Sequence, residues 1–278
     1  MADKSDQYAV FGNPIAHSKS PQIHQWFARQ TRQSITYTRQ RVEEGQFESA
    51  AARFFCDGGR GLNITAPLKL NAFTYADRVT ERAERAGAVN TLALQDDGSV
   101  LGDNTDGVGM VTDITANLGW DVSAKRVLIL GAGGAVRGVL QPVLEQGPEQ
   151  LLIANRTVAK ALQLSRSFRD LGRVQVCGFE DLADRQFDLV INGTAASLAG
   201  DLPPLPDDLL AADAHCYDMM YGAAPTVFLR WARARGAVGI ADGLGMLVGQ
   251  AAESFYLWRG VRPDTAPVIQ LLRQELTG

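Results

Sequence analysis

The stretch from Val127 to Gly138 limits most what this chain can fold into. Four apolar residues, Val127, Leu128, Ile129 and Leu130, run into Gly131-Ala132-Gly133-Gly134 and then into helix-forming residues. This is the pattern of a strand, a tight turn and a helix N-terminus. Glycine at 131 and 133 lets the backbone turn sharply and approach a ligand without a Cβ in the way. The unpaired N–H groups and the positive dipole end of the following helix suit a pyrophosphate. The Gly-x-Gly-x-x-Gly/Ala fingerprint of dinucleotide sites is incomplete, because Val136 takes the third position and Gly138 is out of phase with it. A second apolar run, Gln150 to Ala154, ends at Asn155-Arg156-Thr157, at the expected distance of about 20 residues beyond the turn. An NAD site places an acid there to accept bonds from the ribose hydroxyls. Arg156 instead offers a guanidinium that can grip a 2′-phosphate, with Asn155 and Thr157 as neutral donors, so the cofactor reads as NADP. An ordinary βαβ turn with a solvated arginine is the plain structural alternative.

With 278 residues the chain exceeds the usual size of one compact domain, and two domains are expected. Its net charge is −4 and no basic run is interleaved with aromatics, which argues against a nucleic-acid partner. The three cysteines, Cys56, Cys177 and Cys216, are far apart and have no metal-ligand spacing. That count argues against a disulfide framework or a zinc site and fits a reducing cytoplasm, each thiol being expected as a small buried hydrophobe. The N-terminal residues Met1 to Gln7 are polar, and no apolar stretch of about 18 residues exists, so neither export nor a membrane span is expected.

Residues 8 to 106 alternate short apolar runs with helical patterns, the mark of an α/β domain. Strands are expected at Tyr8 to Phe11, Ile35 to Arg41 and Gly61 to Thr65, and helices from Pro21, with Ser20 as N-cap, and over Phe47 to Phe55. Ligands in open α/β sheets lie beyond the carboxyl ends of the strands. That directs attention to Ser18 and Ser20 in the first loop, to Asn63, Thr65 and Lys69 after the third strand, and to Asn90. Such neutral donors and acceptors suit a ligand bearing hydroxyls and a carboxylate. Asp106 opens the next helix, where it is either an N-cap or the partner of Lys69. In the second half, helices are expected over Gly133 to Gln146, kinked at Pro142, and over Val158 to Leu171 and Pro225 to Arg235. Strands are expected at Phe187 to Asn192 and Ala214 to Asp218. Near the end, Leu244, Leu247, Val248, Ala251, Phe255 and Trp258 form a helical core stripe. Gly243, Met246 and Gln250 fall on another face.

These motifs together resemble the shikimate dehydrogenase family over nearly the whole chain. The resemblance is carried by Gly12 to Pro21, Asn63 to Lys69, Ala86 to Thr91, Gly102 to Gly107, the glycine turn, Asn155 to Thr157, and Asp242 to Gln250. It implies an N-terminal α/β substrate domain over 1–106, a Rossmann-like parallel-sheet NADP domain over 107–242, and C-terminal helices over 243–278 returning to the first domain. It further implies NADP-dependent interconversion of 3-dehydroshikimate and shikimate. Lys69 and Asp106 would be the catalytic pair, and Ser18, Ser20, Thr65, Asn90, Asp106, Tyr221 and Gln250 would bind substrate. The cofactor would meet Gly131, Ala132, Gly133, Gly134, Ala135, Asn155, Arg156, Thr157, Met219, Gly243 and Met246, with no metal. Ile64 and Leu68 depart from the family pattern in packing only. A quinate/shikimate relative, and from another class a redox-inactive NADP-binding sensor, remain open, as does a monomer or a homodimer.

Overall fold

A computed structural model of the chain describes residues 5–196 and 200–278. The polar segment Met1 to Lys4 lies outside the described residues. The chain forms two compact units, Met1–Gly109 with Val248–Val268, and Met110–Leu247 with Ile269–Gly278.

The first unit is built on strands β1 (Asp6–Gly12), β2 (Ile35–Arg41), β3 (Gly59–Ile64), β4 (Arg78–Val79), β5 (Thr91–Leu94) and β6 (Val100–Asp103). Their order in the sheet is β2-β1-β3-β5-β6-β4. It is mixed, because β5 runs antiparallel to both β3 and β6. Helices α1 (Ser20–Thr31), α2 (Phe47–Cys56), α3 (Lys69–Tyr75) and α4 (Glu81–Ala86) connect the strands. Ala9, Phe11, Leu62, Ile64 and Leu92 point to one core, which contains Phe47 and Ala51 of α2 and Ala72 of α3. Tyr8 stacks on Trp258 with ring centroids 4.7 Å apart. A Cβ on Gly61 would lie 2.3 Å from the Trp258 Nε1, so only glycine lets that indole lie on the sheet.

The second unit holds a six-stranded sheet in which every pairing is parallel. Its strands are β7 (Arg126–Leu130), β8 (Gln150–Ala154), β9 (Val174–Cys177), β10 (Phe187–Asn192), β11 (Leu210–Asp218) and β12 (Gly239–Asp242). The order is β12-β11-β10-β7-β8-β9. Alternate residues supply cores on both faces: Val127, Ile129, Leu151, Ile153, Leu189 and Ile191 face one, while Leu128, Leu130, Leu152, Ala154 and Val190 face the other. Burial on both sides explains why these strands read as unbroken apolar runs. Helices α5 (Asp106–Thr112), α6 (Gly134–Glu145), α7 (Val158–Ser167), α8 (Val227–Ala234), α9 (Leu244–Arg259) and α10 (Ala266–Thr277) complete the described elements.

Several expectations change. Ser20 is not the N-cap of α1; Lys19 occupies that position in a helical conformation, without a side-chain cap bond, and Ser20 is already inside the first turn. Helix α7 stops at Ser167, four residues short of Leu171, where the Phe168 backbone leaves the helical region at φ −120°, ψ 11° and tight turns follow. Gly243 lies before α9 rather than on its face, its carbonyl accepting from Leu247 N at 2.9 Å. The last helix does not return as one block: Val248–Val268 belongs to the first unit and Ile269–Gly278 to the second, where Arg273 Nη1 donates to Gly222 O at 3.0 Å and Arg273 pairs with Asp242. Cys56 is exposed, whereas Cys177 and Cys216 are buried. Burial pushes the Cys216 thiol up to about 12, which leaves it inert. Among the described residues no helix is long and apolar enough to cross a membrane.

Candidate active site

In the first unit the loops after β1 and β3 lie side by side. Asn13 N donates to Ala66 O at 3.2 Å and Thr65 N to Phe11 O at 2.9 Å. Ser18 Oγ donates to Ser20 Oγ at 3.2 Å and accepts from Ser20 N at 3.3 Å, so the two hydroxyls form one cluster. The loop after β3 ends at Lys69, the first residue of α3.

Lys69 Nζ donates to Asp106 Oδ2 at 2.5 Å, and Asn90 Nδ2 donates to the other oxygen, Oδ1, at 2.8 Å. The Asp106 carboxylate thus engages a lysine and an asparagine. Its helix-cap reading gives way, because Asp106 is already the first residue inside α5 and its carboxylate faces Lys69 and Asn90. Lys69 keeps 33% of its side chain exposed and Asp106 14%, so the ammonium is anchored while still open to a ligand.

Behind this pair runs a buried polar network that the sequence reading did not foresee. Asn90 Oδ1 accepts from Thr105 N at 2.9 Å and from Thr91 Oγ1 at 2.9 Å. Thr91 Oγ1 and Ser254 Oγ are 2.7 Å apart. Asn63 Nδ2 donates to Ser254 Oγ at 2.9 Å and to Thr91 Oγ1 at 3.1 Å. Asn63 Oδ1 accepts from Tyr37 OH at 2.7 Å and faces His24 Nε2 at 3.1 Å. Ser254 Oγ also reaches Gln250 O at 3.0 Å, which ties the predicted substrate glutamine's turn of α9 to the same network. In the sequence, Asn63 and Asn90 stand out as polar groups at strand ends but read as ligand contacts, and the signal for Ser254 is its four-residue spacing from Gln250, which puts the two on one helix face. Burial lowers the His24 pKa to about 3 against a weaker upward pull from Asn63. The ring is therefore neutral, and its Nδ1 has no partner among the described residues. Asp103, two residues before Thr105, is held ionised: burial alone would raise it, but the hydrogen bonds and charge of Arg82, with Thr80, bring it below the ordinary carboxylate range.

In the second unit the strand order reverses between β7 and β10, and the glycine turn expected to meet the cofactor follows β7 there. Gly131 has φ +102°, a conformation other residues rarely adopt, and a Cβ there would lie 3.2 Å from Thr194 Cγ2. Cβ atoms on Gly133 or Gly134 would meet nothing within 4 Å, so the turn is open above. No side chain caps α6, and its first N–H groups have no carbonyl one turn earlier to bond. Val136, which replaces the third glycine of the fingerprint, is fully buried with its Cγ2 where a Cβ on Gly193 would fall, 2.4 Å away. Gly193, at the end of β10, therefore provides the space that the missing glycine would have given. Asn155 Nδ2 donates to Thr157 O at 2.8 Å and shapes the loop after β8. Arg156 is exposed in that loop, with no hydrogen bond or ion pair among the described residues. An open glycine cradle, an uncapped helix N-terminus and a free guanidinium after the second strand fit a dinucleotide with a 2′-phosphate. Met219 follows β11, its carbonyl so near Gly243 that a Cβ there would be 2.2 Å away. Tyr221 lies two residues further on and is 38% exposed.

A lysine–carboxylate pair among hydroxyl and amide side chains in one unit, and an open glycine turn at a helix N-terminus in the other, are the parts that a nicotinamide-dependent oxidoreductase requires. Three family models match in chain order: shikimate dehydrogenase substrate binding domain over residues 10–92, shikimate/quinate 5-dehydrogenase over 113–199, and shikimate 5′-dehydrogenase C-terminal domain over 243–273. The shikimate dehydrogenase (NADP(+)) of Cellvibrio japonicus is 62% identical over 272 residues, which cover 98% of each chain. A crystal structure of an Ael1 enzyme from Pseudomonas putida superposes with a TM-score of 0.92 at 50% identity, covering 96% of this chain and 98% of that one. The shikimate 5-dehydrogenase of Thermus thermophilus, in complex with NADP(H) and shikimate, superposes with a TM-score of 0.86 at 32% identity, covering 98% and 100%. The chain belongs to the shikimate dehydrogenase (NADP(+)) family.

Proposed function

We propose that this chain catalyses the reversible NADPH-dependent reduction of 3-dehydroshikimate to shikimate in chorismate and aromatic amino-acid biosynthesis, with Lys69 and Asp106 as its catalytic pair. The observation that carries this reading is the 2.5 Å contact between Lys69 Nζ and a carboxylate whose second oxygen is fixed by Asn90.

When bound, NADPH supplies the hydride that the ketone carbon receives. The oxygen of that ketone then needs a proton, and Lys69 Nζ gives it; in the reverse direction the lysine amine removes it from the 3-hydroxyl. One of the three ammonium N–H groups is taken by Asp106, which leaves two for the substrate oxygen. Because Asp106 is itself held by Asn90, the ammonium is set in place before negative charge develops, and little reorganisation is needed as it does. Ser18 and Ser20 are assigned to the substrate carboxylate, and Thr65, Asn90, Asp106, Tyr221 and Gln250 to the ring and its hydroxyls. Gly131 to Ala135 would hold the pyrophosphate and Asn155, Arg156 and Thr157 the 2′-phosphate. Met219, Gly243 and Met246 would line the nicotinamide end.

Replacing Lys69 removes the proton donor and leaves the neutral binding groups. Lys69→Ala is expected to lower kcat by about 10²–10⁴-fold while the KM for shikimate changes by a small factor. Steady-state kinetics with NADP+ checks this, and unchanged turnover would take Lys69 out of the chemistry. The protein is placed in the cytoplasm as a monomer or homodimer, in keeping with its unpaired cysteines. Light scattering on the purified protein decides between the two assemblies.

A further inference from the structure

Two buried polar residues of the second unit are used neither by the proposed chemistry nor by the cofactor loops. Tyr217, on β11, is fully buried, and Asp113 is 3% exposed. Asp113 opens the π-helical turn Asp113–Asn117 that follows α5. Single π turns of this kind recur at functional sites.

The two side chains meet each other and then meet the start of α9. Tyr217 OH donates to Asp113 Oδ2 at 2.9 Å and accepts from the backbone N–H of Met246 at 3.2 Å. Asn117 Nδ2 holds the other carboxylate oxygen at 2.9 Å. A Cβ on Gly245 would fall 1.9 to 2.0 Å from the Asp113 carboxylate atoms, so that group lies flat against the helix backbone, where any larger residue would push it away. Two residues earlier, Gly243 is packed as closely against the Met219 carbonyl. The first N–H groups of a helix have no internal partner, and here the one on Met246 is answered by a side chain from the sheet. The carboxylate also sits at the positive end of the helix, where negative charge is favoured. Leu244 N is taken separately by Asp242 Oδ1 at 3.2 Å. The first turn of α9 therefore has its height and rotation fixed by contacts to Met219, Tyr217 and Asp113.

We propose that Asp113 and Tyr217 are positioning residues for NADP: they hold the Gly243–Met246 segment in the register at which it meets the cofactor. The inference rests on the assignment of Gly243 and Met246 as cofactor contacts made above. Both side chains are buried, and they act through the Met246 N–H and Gly245 that they contact.

The test is calorimetric titration of NADP+ into the purified, ligand-free protein and into four variants, Tyr217→Phe, Asp113→Asn, Asp113→Ala and Met246→Ala, alongside melting temperatures and the separate KM values for NADP+ and shikimate. Losing the Tyr217 hydroxyl should weaken NADP+ binding by about two- to tenfold, the range of one hydrogen bond, with the shikimate KM little changed. Asp113→Asn, whose amide oxygen still accepts from Tyr217, should be milder than Asp113→Ala. Normal NADP+ affinity in Tyr217→Phe and both Asp113 variants, with Met246→Ala weakened, would overturn the positioning role and leave the cofactor assignment standing. Normal affinity in Met246→Ala would instead remove Met246 from the cofactor site, and the inference with it. A fall in melting temperature with unchanged NADP+ affinity would mark the pair as structural only. Should an Asp113 variant fail to fold, Tyr217→Phe, which removes a single oxygen, carries the test alone.

Discussion

At the scale of single residues, the two kinds of site differ in how far chemistry alone points to them. Arg156 was legible because its place after the second parallel strand is fixed by the length of a βαβ unit, and a cation there has one obvious use. Its freedom from any ion pair among the described residues gives a sharp expectation: Arg156→Ala should weaken NADP+ far more than NAD+. Fluorescence titration with both cofactors checks this, and equal weakening would count against a 2′-phosphate contact. For Asp106, position in the chain leaves a helix cap and a partner of Lys69 both open, and the contact between the two side chains decides for the partner. The hub behind them was only partly legible: Asn63 and Asn90 stood out as polar groups at strand ends and read as ligand contacts, but Thr91, Thr105 and Ser254 look like ordinary turn and strand residues until the sheet brings them together, and Asn63 proves to be buried among them. His24 belongs to that hub and has a consequence for stability. Its folded pKa of about 3 lies below its ordinary value, so between the two the unfolded chain binds the extra proton. Stability should therefore fall as pH drops below about 6.5, by at most about 1.4 kcal/mol per pH unit from this one group. His24→Gln, which cannot gain that proton, should start less stable at pH 7 and lose less on acidification. Parallel urea-melt profiles against pH for the two proteins would contradict the account.

At the scale of elements, most strands and helices followed from apolar period, and the misplacements have local causes. Leu128 and Leu130 feed one core while Val127 and Ile129 feed the other, so the run of apolar residues could only be a strand buried on both faces. Ser20 looked like a cap because it precedes a proline, but Lys19 already has helical dihedrals and the helix starts one residue earlier than that reading allowed. Pro142 lies inside α6, which continues through it, and is buried there. The incomplete fingerprint has a physical resolution in the pairing of Val136 with Gly193. Gly193→Ala should overpack that contact and cost about 1–3 kcal/mol in urea unfolding, and adding Val136→Ala should recover part of the loss. A Gly193→Ala protein as stable as the parent, or a double variant with no recovery, would show that the small residue is not there for the valine.

At the scale of the whole molecule, the two units correspond to two tasks, and each was anticipated in outline. The mixed sheet's unit carries Lys69 and Asp106 with their polar surroundings, and the parallel sheet carries the open glycine turn at its switch point. The return of the chain to the first unit was also foreseen. The departure of its last ten residues to the second was not, because the anchor, Arg273 with Asp242 and Gly222, depends on residues distant in sequence. Both units serve one proposed reaction, shikimate oxidation with NADP+ and its reversal. Absorbance at the reduced-nicotinamide band tests this, with kcat/KM compared for shikimate and quinate, each with NADP+ and NAD+. Efficient turnover is expected with shikimate and NADP+, and weak turnover in the other three pairs. Comparable quinate turnover would contradict the substrate claim, equal use of NAD+ would contradict the reading of Arg156, and tight NADP+ binding without turnover of either acid would contradict the enzyme itself.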